Sequence, residues 1–182
     1  MSKTLWRIRL CILVLTSLAV VGAQACIPRE ATQPTDPGPH DYSDAATSSR
    51  LWQEDDPGEP LFLRIRVLNT CGDAVAGASV QVLHANQDGD HEFKRWRTRI
   101  ETDARGGASL LTVFPGYTGG IPRHIHFVIR HPGHKELITR LFFKNDPDID
   151  HSIEDLAMVL EQVDRNGRRG WVAGFEFVID PK

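Results

Sequence analysis

The alternation of side chains from Leu61 to Val67 narrows the choice of fold more than any other feature of this sequence. Every second residue of this segment is a large aliphatic one, and Arg64 and Arg66 occupy two of the positions between. Successive side chains of a β-strand point to opposite faces, so the pattern predicts a strand with one buried and one solvated face. A helix would place its apolar residues three or four positions apart. The core is therefore expected to consist of half-buried strands.

Further short strands are predicted along the chain, and turn residues separate them. These strands cover residues 78–83, 98–102, 108–114, 124–129, 136–143 and 171–179. One segment has helical periodicity instead, because Ile153, Leu156, Leu160 and Val163 fall on one stripe and Ser152 can cap it. Strands and helices do not alternate regularly. The prediction is an all-β fold, a two-sheet antiparallel β-sandwich with one short helix.

The first 25 residues have the composition of an export signal. Three basic residues precede the almost uninterrupted apolar stretch 10–21, and Ala23 and Ala25 are small residues at the spacing that a signal peptidase accepts. A retained membrane anchor is the weaker alternative, because this stretch is short for the hydrocarbon layer. We expect the mature protein to be exported, as a periplasmic, secreted or membrane-anchored protein.

Cys26 follows the predicted cleavage point directly and allows two alternatives. It could carry a lipid anchor, although Ala23 occupies a position where a lipoprotein signal usually has leucine. Otherwise it could form a disulfide with Cys71 in an oxidising compartment, since Cys11 lies in the removed segment.

The 182-residue chain is expected to contain one domain with appendages. Residues 26–57 are rich in proline and polar residues and predict an arm or linker, either a solvated tether or a packed arm. Residues 58–182 are the predicted β-sandwich domain. Removal of the signal takes away three of 21 basic residues and none of 24 acidic ones, leaving a net charge of about −6. This charge argues against nucleic acid as a partner.

His124-Ile125-His126 is the strongest candidate for a functional site. On a strand both imidazoles project to the same face and could reach one metal ion, whereas the alternative is two histidines on a wet strand face. Tyr117, one of two tyrosines in the chain, follows the turn pair Pro115-Gly116. Such a turn can bring its phenol over the histidine face. Ligand chemistry ranks ferric iron first, copper second and zinc third for this set.

Five stretches of the sequence occur in the order and spacing of a known family: PTDPGPHDY, GEPLFLRIRVLNTCGDAVAGASVQVLHANQDGD, TDARGGASLLTVFPGY, PRHIHF and ELITRLFFKNDP. In these stretches, which extend from about Thr35 to the carboxyl terminus, the chain resembles the intradiol ring-cleavage dioxygenases, including catechol and protocatechuate dioxygenases. The resemblance implies a β-sandwich that holds one non-haem ferric ion, Fe(III). It also implies a catechol-type substrate that dioxygen cleaves between its two hydroxylated carbons.

The resemblance also implies metal ligands. Tyr117, His124 and His126 match three of the family's ligands, and His91 occupies the position of its other tyrosine. His91 could be a neutral ligand, the position could be filled by water or substrate, or the site could have lost turnover. A neutral ligand in place of an anionic one should raise the reduction potential of the metal.

Two arginines are candidate catalytic residues by the same resemblance. The family usually has an arginine three residues before the first histidine, where this chain has Ile121. Arg123 is close in sequence, but on a strand it would point away from the histidine face. Arg140 stands where many members carry glutamine and could supply the missing positive charge.

Two functions remain open at this point. The first is a ferric dioxygenase that opens a catechol-type ring, and the alternative is a non-catalytic extracellular β-sandwich module that binds a metal or ligand at a degenerate site. A homo-oligomer is compatible with either function. The sequence does not indicate which catechol is used or whether Tyr42 covers the site.

Overall fold

The computed structural model describes the chain in five stretches: residues 26–38, 45–91, 95–144, 146–165 and 167–182. The predicted export signal and Tyr42 lie outside these residues. Within them, no helix is both long and apolar enough to cross a membrane.

The strands of the described residues form two packed sheets, which confirms the predicted β-sandwich. The first sheet has the order β4-β1-β9-β8 and consists of β1 (Pro60–Asn69), β4 (Gly107–Val113), β8 (Leu160–Arg165) and β9 (Arg168–Ile179). The second has the order β3-β2-β5-β6-β7 and consists of β2 (Ser79–His84), β3 (Arg97–Glu101), β5 (His124–Arg130), β6 (Leu137–Phe143) and β7 (Ala157–Met158).

Both sheets are mixed, which corrects the predicted antiparallel arrangement. β9 lies parallel to β1, and β7 lies parallel to β6, whereas the other paired strands are antiparallel. Side-chain alternation encodes which face of a strand is buried, but it carries no information about the direction of the neighbouring strand. The parallel pairs arise because β9 returns to the open side of β1, and β7 returns to the open side of β6.

The predicted helix is wrong beyond Leu156. A single 3₁₀ turn, Glu154–Leu156, has no side-chain cap, and the Ser152 hydroxyl instead donates to Asp150 Oδ1 at 2.5 Å. The following residues form β7 and β8, whose backbone groups bond to β6 and β9. Pairing with strands of both sheets satisfies the backbone groups of β7 and β8, and it outweighs the local helical periodicity.

The core lies between the two sheets and follows the predicted alternation. The four aliphatic residues from Leu61 to Val67 are at most 4% exposed, whereas Arg64 and Arg66 are exposed. In β5, Ile125, Phe127 and Ile129 are fully buried, and the Phe127 ring lies 5.1 Å from that of Phe177 across the core. The intervening histidines of β5 therefore point to the outer face of the second sheet.

The described parts of the arm pack along both open sides of the sandwich. On one side, backbone amides of residues 32–35 donate to β9 and β6, and on the other, residues 46–51 bond to β3 and β4. Leu51 and Trp52 are buried against the core. Unpaired strand edges invite pairing with other chains, and the arm covers them.

A disulfide between Cys26 and Cys71 ties the start of the arm to the turn after β1. Of the two alternatives predicted for Cys26, the structure therefore has the disulfide. The same sulfur atom of Cys26 cannot also carry a lipid.

Candidate metal centre

The histidine pair of β5 has the geometry of two ligands to one ion. His124 and His126 are only 6% and 2% exposed, and their Nε2 atoms lie 3.1 Å apart. His124 Nδ1–H donates to the Pro122 carbonyl at 2.8 Å, so its Nε2 carries the lone pair in the neutral ring. Two metal–nitrogen bonds of about 2.1 Å at a right angle would separate the nitrogens by about 3.0 Å. The pair therefore fits a single ion.

Arg140 lies beside this pair on the same sheet face. It is the direct cross-strand partner of His126 in the β5–β6 register, and Phe142 is the partner of His124. Its Nε atom is buried and has no hydrogen-bond partner among the described residues. Arg140 is half-buried, and an anionic ligand at this place would accept a hydrogen bond from the unsatisfied Nε–H.

His91 reaches the pair from a loop that Asn86 organises. The Asn86 side-chain oxygen accepts from the amides of Asp88 and Asp90, at 3.0 and 2.9 Å. The His91 ring centroid lies 6.3 Å from that of His126 in an edge-to-face arrangement. Partial burial lowers the pKa of His91, and the nearby Asp90 opposes this change. The lowered pKa favours the neutral form of His91, which is the form in which an imidazole can bind a metal.

His91 lies beside the pair without completing a closed three-ligand set. Across the stretches that the structure describes, no three His, Cys, Asp or Glu side chains converge closely enough to hold an ion. A tyrosine oxygen or a shift of the His91 ring would be needed for a third protein ligand.

Two glycines allow the Tyr117 loop to cross the His91 loop. A Cβ atom on Gly89 would lie 1.8 Å from the Tyr117 carbonyl oxygen, and one on Gly116 would lie 2.4 Å from the Gln87 carbonyl oxygen. The Thr118 hydroxyl donates to the Gly89 carbonyl at 2.8 Å across this crossing. Both glycines are needed for this close approach, and the sequence alone gives no signal for which loops they join.

The Tyr117 phenol lies in a cluster with Arg123 and Asp146. The Arg123 guanidinium stacks 3.9 Å from the centre of the Tyr117 ring, and the Arg123 amide donates to Asp146 Oδ2 at 3.1 Å. Tyr117 is 39% exposed, and partial desolvation raises its pKa. The charge and hydrogen bond of Asp146 act in the same direction, against the Arg123 charge. Asp146 is 7% exposed and is not predicted from the sequence, where it resembles an ordinary turn residue before proline.

His84 is a second residue that the sequence does not single out. It is fully buried on the core side, where Nδ1–H donates to the Ala85 carbonyl at 2.7 Å and Nε2 accepts from the Thr112 hydroxyl at 2.6 Å. Burial lowers the pKa of His84 to about 4. It is a neutral structural histidine at pH 7.

His84 should make the fold less stable as the pH falls from about 6.5 to 4. In this range the unfolded chain binds the proton and the folded chain does not, so the free energy of unfolding decreases by up to about 1.4 kcal/mol per pH unit. Urea unfolding at several pH values should give a shallower slope for His84→Gln than for the wild type. The exposed His151 provides the control, and equal slopes for wild type and His84→Gln would contradict the assignment.

The fold and this site define a two-sheet β-sandwich protein with a buried histidine pair on one sheet face, flanked by His91 and Arg140. The Tyr117 phenol lies in the Arg123–Asp146 cluster. The family model described as Dioxygenase matches residues 37–181. The chain belongs to the intradiol ring-cleavage dioxygenase family.

Relatives of this family support the assignment at low identity. Catechol 1,2-dioxygenase 2 of Acinetobacter lwoffii is 33% identical over 124 residues, covering 54% of this chain and 45% of that protein. The structure of catechol 1,2-dioxygenase from Pseudomonas arvilla C-1 is 27% identical with a TM-score of 0.74, covering 83% of this chain and 62% of the other. The chain spans about half the length of the curated relatives it matches.

One solved structure has nearly the same extent as the sandwich described above. It is the dioxygenase domain of a dioxygenase carbohydrate-binding protein fusion from Streptomyces sp. SirexAA-E, which is 26% identical with a TM-score of 0.72. The match covers 83% of this chain and 99% of that chain.

Proposed function

We propose that this chain is a ring-cleaving enzyme that opens a catechol-type substrate with dioxygen between the two hydroxylated carbons. The observation that carries the proposal is the buried Nε2 pair of His124 and His126, 3.1 Å apart. Tyr117 supplies an anionic ligand, and His91 occupies the place of the family's other tyrosine. The family membership and the hard phenolate donor favour non-haem Fe(III) as the ion.

A ferric ion bound at these residues supplies Lewis-acid chemistry that holds the catechol as a dianion and makes its ring reactive toward dioxygen. Tyr117 must lose its phenolic proton to become a ligand, and the adjacent Asp146 carboxylate is placed to accept it. The burial of both histidines keeps water away from the ligand atoms. Arg140, with its unpartnered Nε beside His126, stabilises negative charge on the substrate.

Export is part of the proposal. The composition of residues 1–25 supports it, as does the Cys26–Cys71 disulfide, since disulfides persist in oxidising compartments.

The alternative is a non-catalytic module that binds a metal or an aromatic ligand. It is favoured by the Asp146 contact of Tyr117 and by the position of His91 outside a closed ligand set. If Tyr117 keeps its proton in the contact with Asp146 and position 91 is histidine, an ion at this site has fewer anionic ligands than the family resemblance implies.

Oxygen uptake by the iron-loaded protein distinguishes the two functions. With catechol, hydroxyquinol or protocatechuate, the enzyme should consume dioxygen and substrate in equal amounts, with a matching loss of the aromatic absorption band. A protein that retains iron but consumes no oxygen with any of the three substrates would support the non-catalytic module and refute the enzyme.

The colour of the iron-loaded protein tests Tyr117 as a ligand. A phenolate bound to Fe(III) produces a visible charge-transfer band, and Tyr117→Phe should abolish it because Tyr42, the other tyrosine of the chain, is not a proposed ligand. Tyr42→Phe is the matched control and should retain the band. If Tyr117→Phe keeps its colour and Tyr42→Phe loses it, the ligand assignment must be transferred to Tyr42.

A further inference from the structure

A second histidine pair lies at the far end of β5. His131 directly follows the last residue of the strand, whereas His124 is its first residue. Seven strand residues at about 3.4 Å each separate the two ends by over 20 Å. The second pair, His131 and His134, therefore cannot share an ion with the first.

The two imidazoles of this pair converge through the same atom of each ring. The Nδ1 atoms of His131 and His134 are 2.8 Å apart, and the ring centroids are 4.9 Å apart. Two metal–nitrogen bonds of about 2.0 Å at a right angle would place the nitrogens about 2.8 Å apart. The Nδ1 contact is a hydrogen bond between the two rings, and the Gly133 amide also donates to His131 Nδ1 at 3.2 Å, so a bound ion would replace these hydrogen bonds.

The turn between the histidines is held in place from two directions. The His134 amide donates to the His131 carbonyl at 3.1 Å, which closes the turn. The Lys182 amide donates to the Gly133 carbonyl at 3.1 Å, and the Lys135 amide donates to the Asp180 carbonyl at 2.8 Å. The histidine backbones are thus fixed before a ligand binds, which lowers the entropic cost of binding.

The surroundings leave room for further ligands. A cavity of about 480 Å³ adjoins the pair, and besides the histidines it is lined by Gly77, Ser79, Arg130, Pro132, Glu136 and Lys182. Arg130 is engaged by Glu136 and by the Gln81 side chain, and the Lys182 ammonium donates to the Pro132 carbonyl at 3.0 Å.

We propose that His131 and His134 form a second metal site that takes a divalent transition ion through both Nδ1 atoms, with water or a small anion from the cavity in the remaining positions. Imidazole nitrogen suits copper, nickel and zinc, and Cu²⁺ binds most tightly of the divalent first-row ions. The site is separate from the iron centre and does not depend on ring cleavage.

Copper titration of the full-length protein tests this site, with the first centre loaded with iron and, in parallel, without iron. In both preparations one Cu²⁺ per chain should bind with the electron paramagnetic resonance pattern of two nitrogen ligands. His131→Ala and His134→Ala should each weaken this binding by at least about tenfold, since loss of a residue that only hydrogen-bonds to a metal ligand already costs about 10–100-fold. The iron content should not change in either variant.

His151→Ala is the control, because His151 is a fully exposed histidine whose Nδ1 lies 3.4 Å from Glu154 Oε2, away from both histidine pairs. It should bind copper like the wild type, and circular dichroism should show the same β-structure in all variants. The proposal is overturned if iron-loaded protein binds no copper, if copper binds only by releasing iron, or if the two variants bind copper as tightly as His151→Ala does.

Discussion

Replacing His126 by alanine should remove iron from the protein and lower oxygen uptake with a catechol by at least about 100-fold, more than the loss expected for a residue that only hydrogen-bonds to a metal ligand. His126 contributes one of two nitrogens that lie 3.1 Å apart in a buried position. A side chain on the protein surface therefore cannot take over its role as a metal ligand. Metal content by mass spectrometry, measured after dialysis, should show less iron in the variant than in the wild type.

The His126 result requires a test of folding, because the side chain is 2% exposed and its truncation leaves a cavity. His126→Gln keeps more of the volume, and it should lose iron to a similar extent while unfolding at a higher temperature than His126→Ala. His151→Ala should retain iron and activity. Iron retained by a folded His126→Gln protein would show that this imidazole is not a ligand.

Replacing His91 by tyrosine should tighten the hold on ferric iron by at least about tenfold and intensify the visible band, on the scale by which neighbouring groups tune metal affinity. The His91 ring is half-buried and 6.3 Å from the ring of His126, so a phenol at this position has a path to the ion. A second phenolate adds an anionic donor, which favours Fe(III) over Fe(II) and lowers the reduction potential. Chelator competition and redox titration measure both effects.

A matched pair of variants separates ligation from packing at position 91. His91→Phe has nearly the size of tyrosine but no donor atom, so it should hold iron more weakly than the wild type. His91→Tyr should hold iron more strongly. Equal iron affinity in the two variants would mean that position 91 does not contact the metal. The histidine at this position would then have no role at the metal centre.

Much of the fold was predictable because the period of the side chains is a local property. The alternation in β1 and β5 identifies the buried faces, and the structure buries the same residues. The histidine pair was predictable for the same reason, since the residues share one face of one strand. The conformation after Ser152 was not, because β7 bonds to β6 and β8 pairs with the following strand β9, and the spacing of apolar residues does not encode this pairing.

The remaining parts of the site depend on contacts between distant segments. Asp146 meets Tyr117 only because the end of β6 returns to the start of β5, and 29 positions separate these two residues. The Gly89–Tyr117 crossing is likewise a meeting of two loops, each of which is an ordinary polar turn in sequence. The periodicity of the sequence does not predict contacts between such distant segments.

The sequence by itself determined the strand faces, the β-sandwich class and the histidine pair with its family resemblance. These follow from the identity and spacing of residues within single strands or motifs. Only the tertiary structure decided the mixed direction of the strands, the Arg123–Tyr117–Asp146 cluster and the convergence of His131 with His134. The physical reason is that strand direction, burial and side-chain distance result from packing between segments, which the local order of residues does not encode.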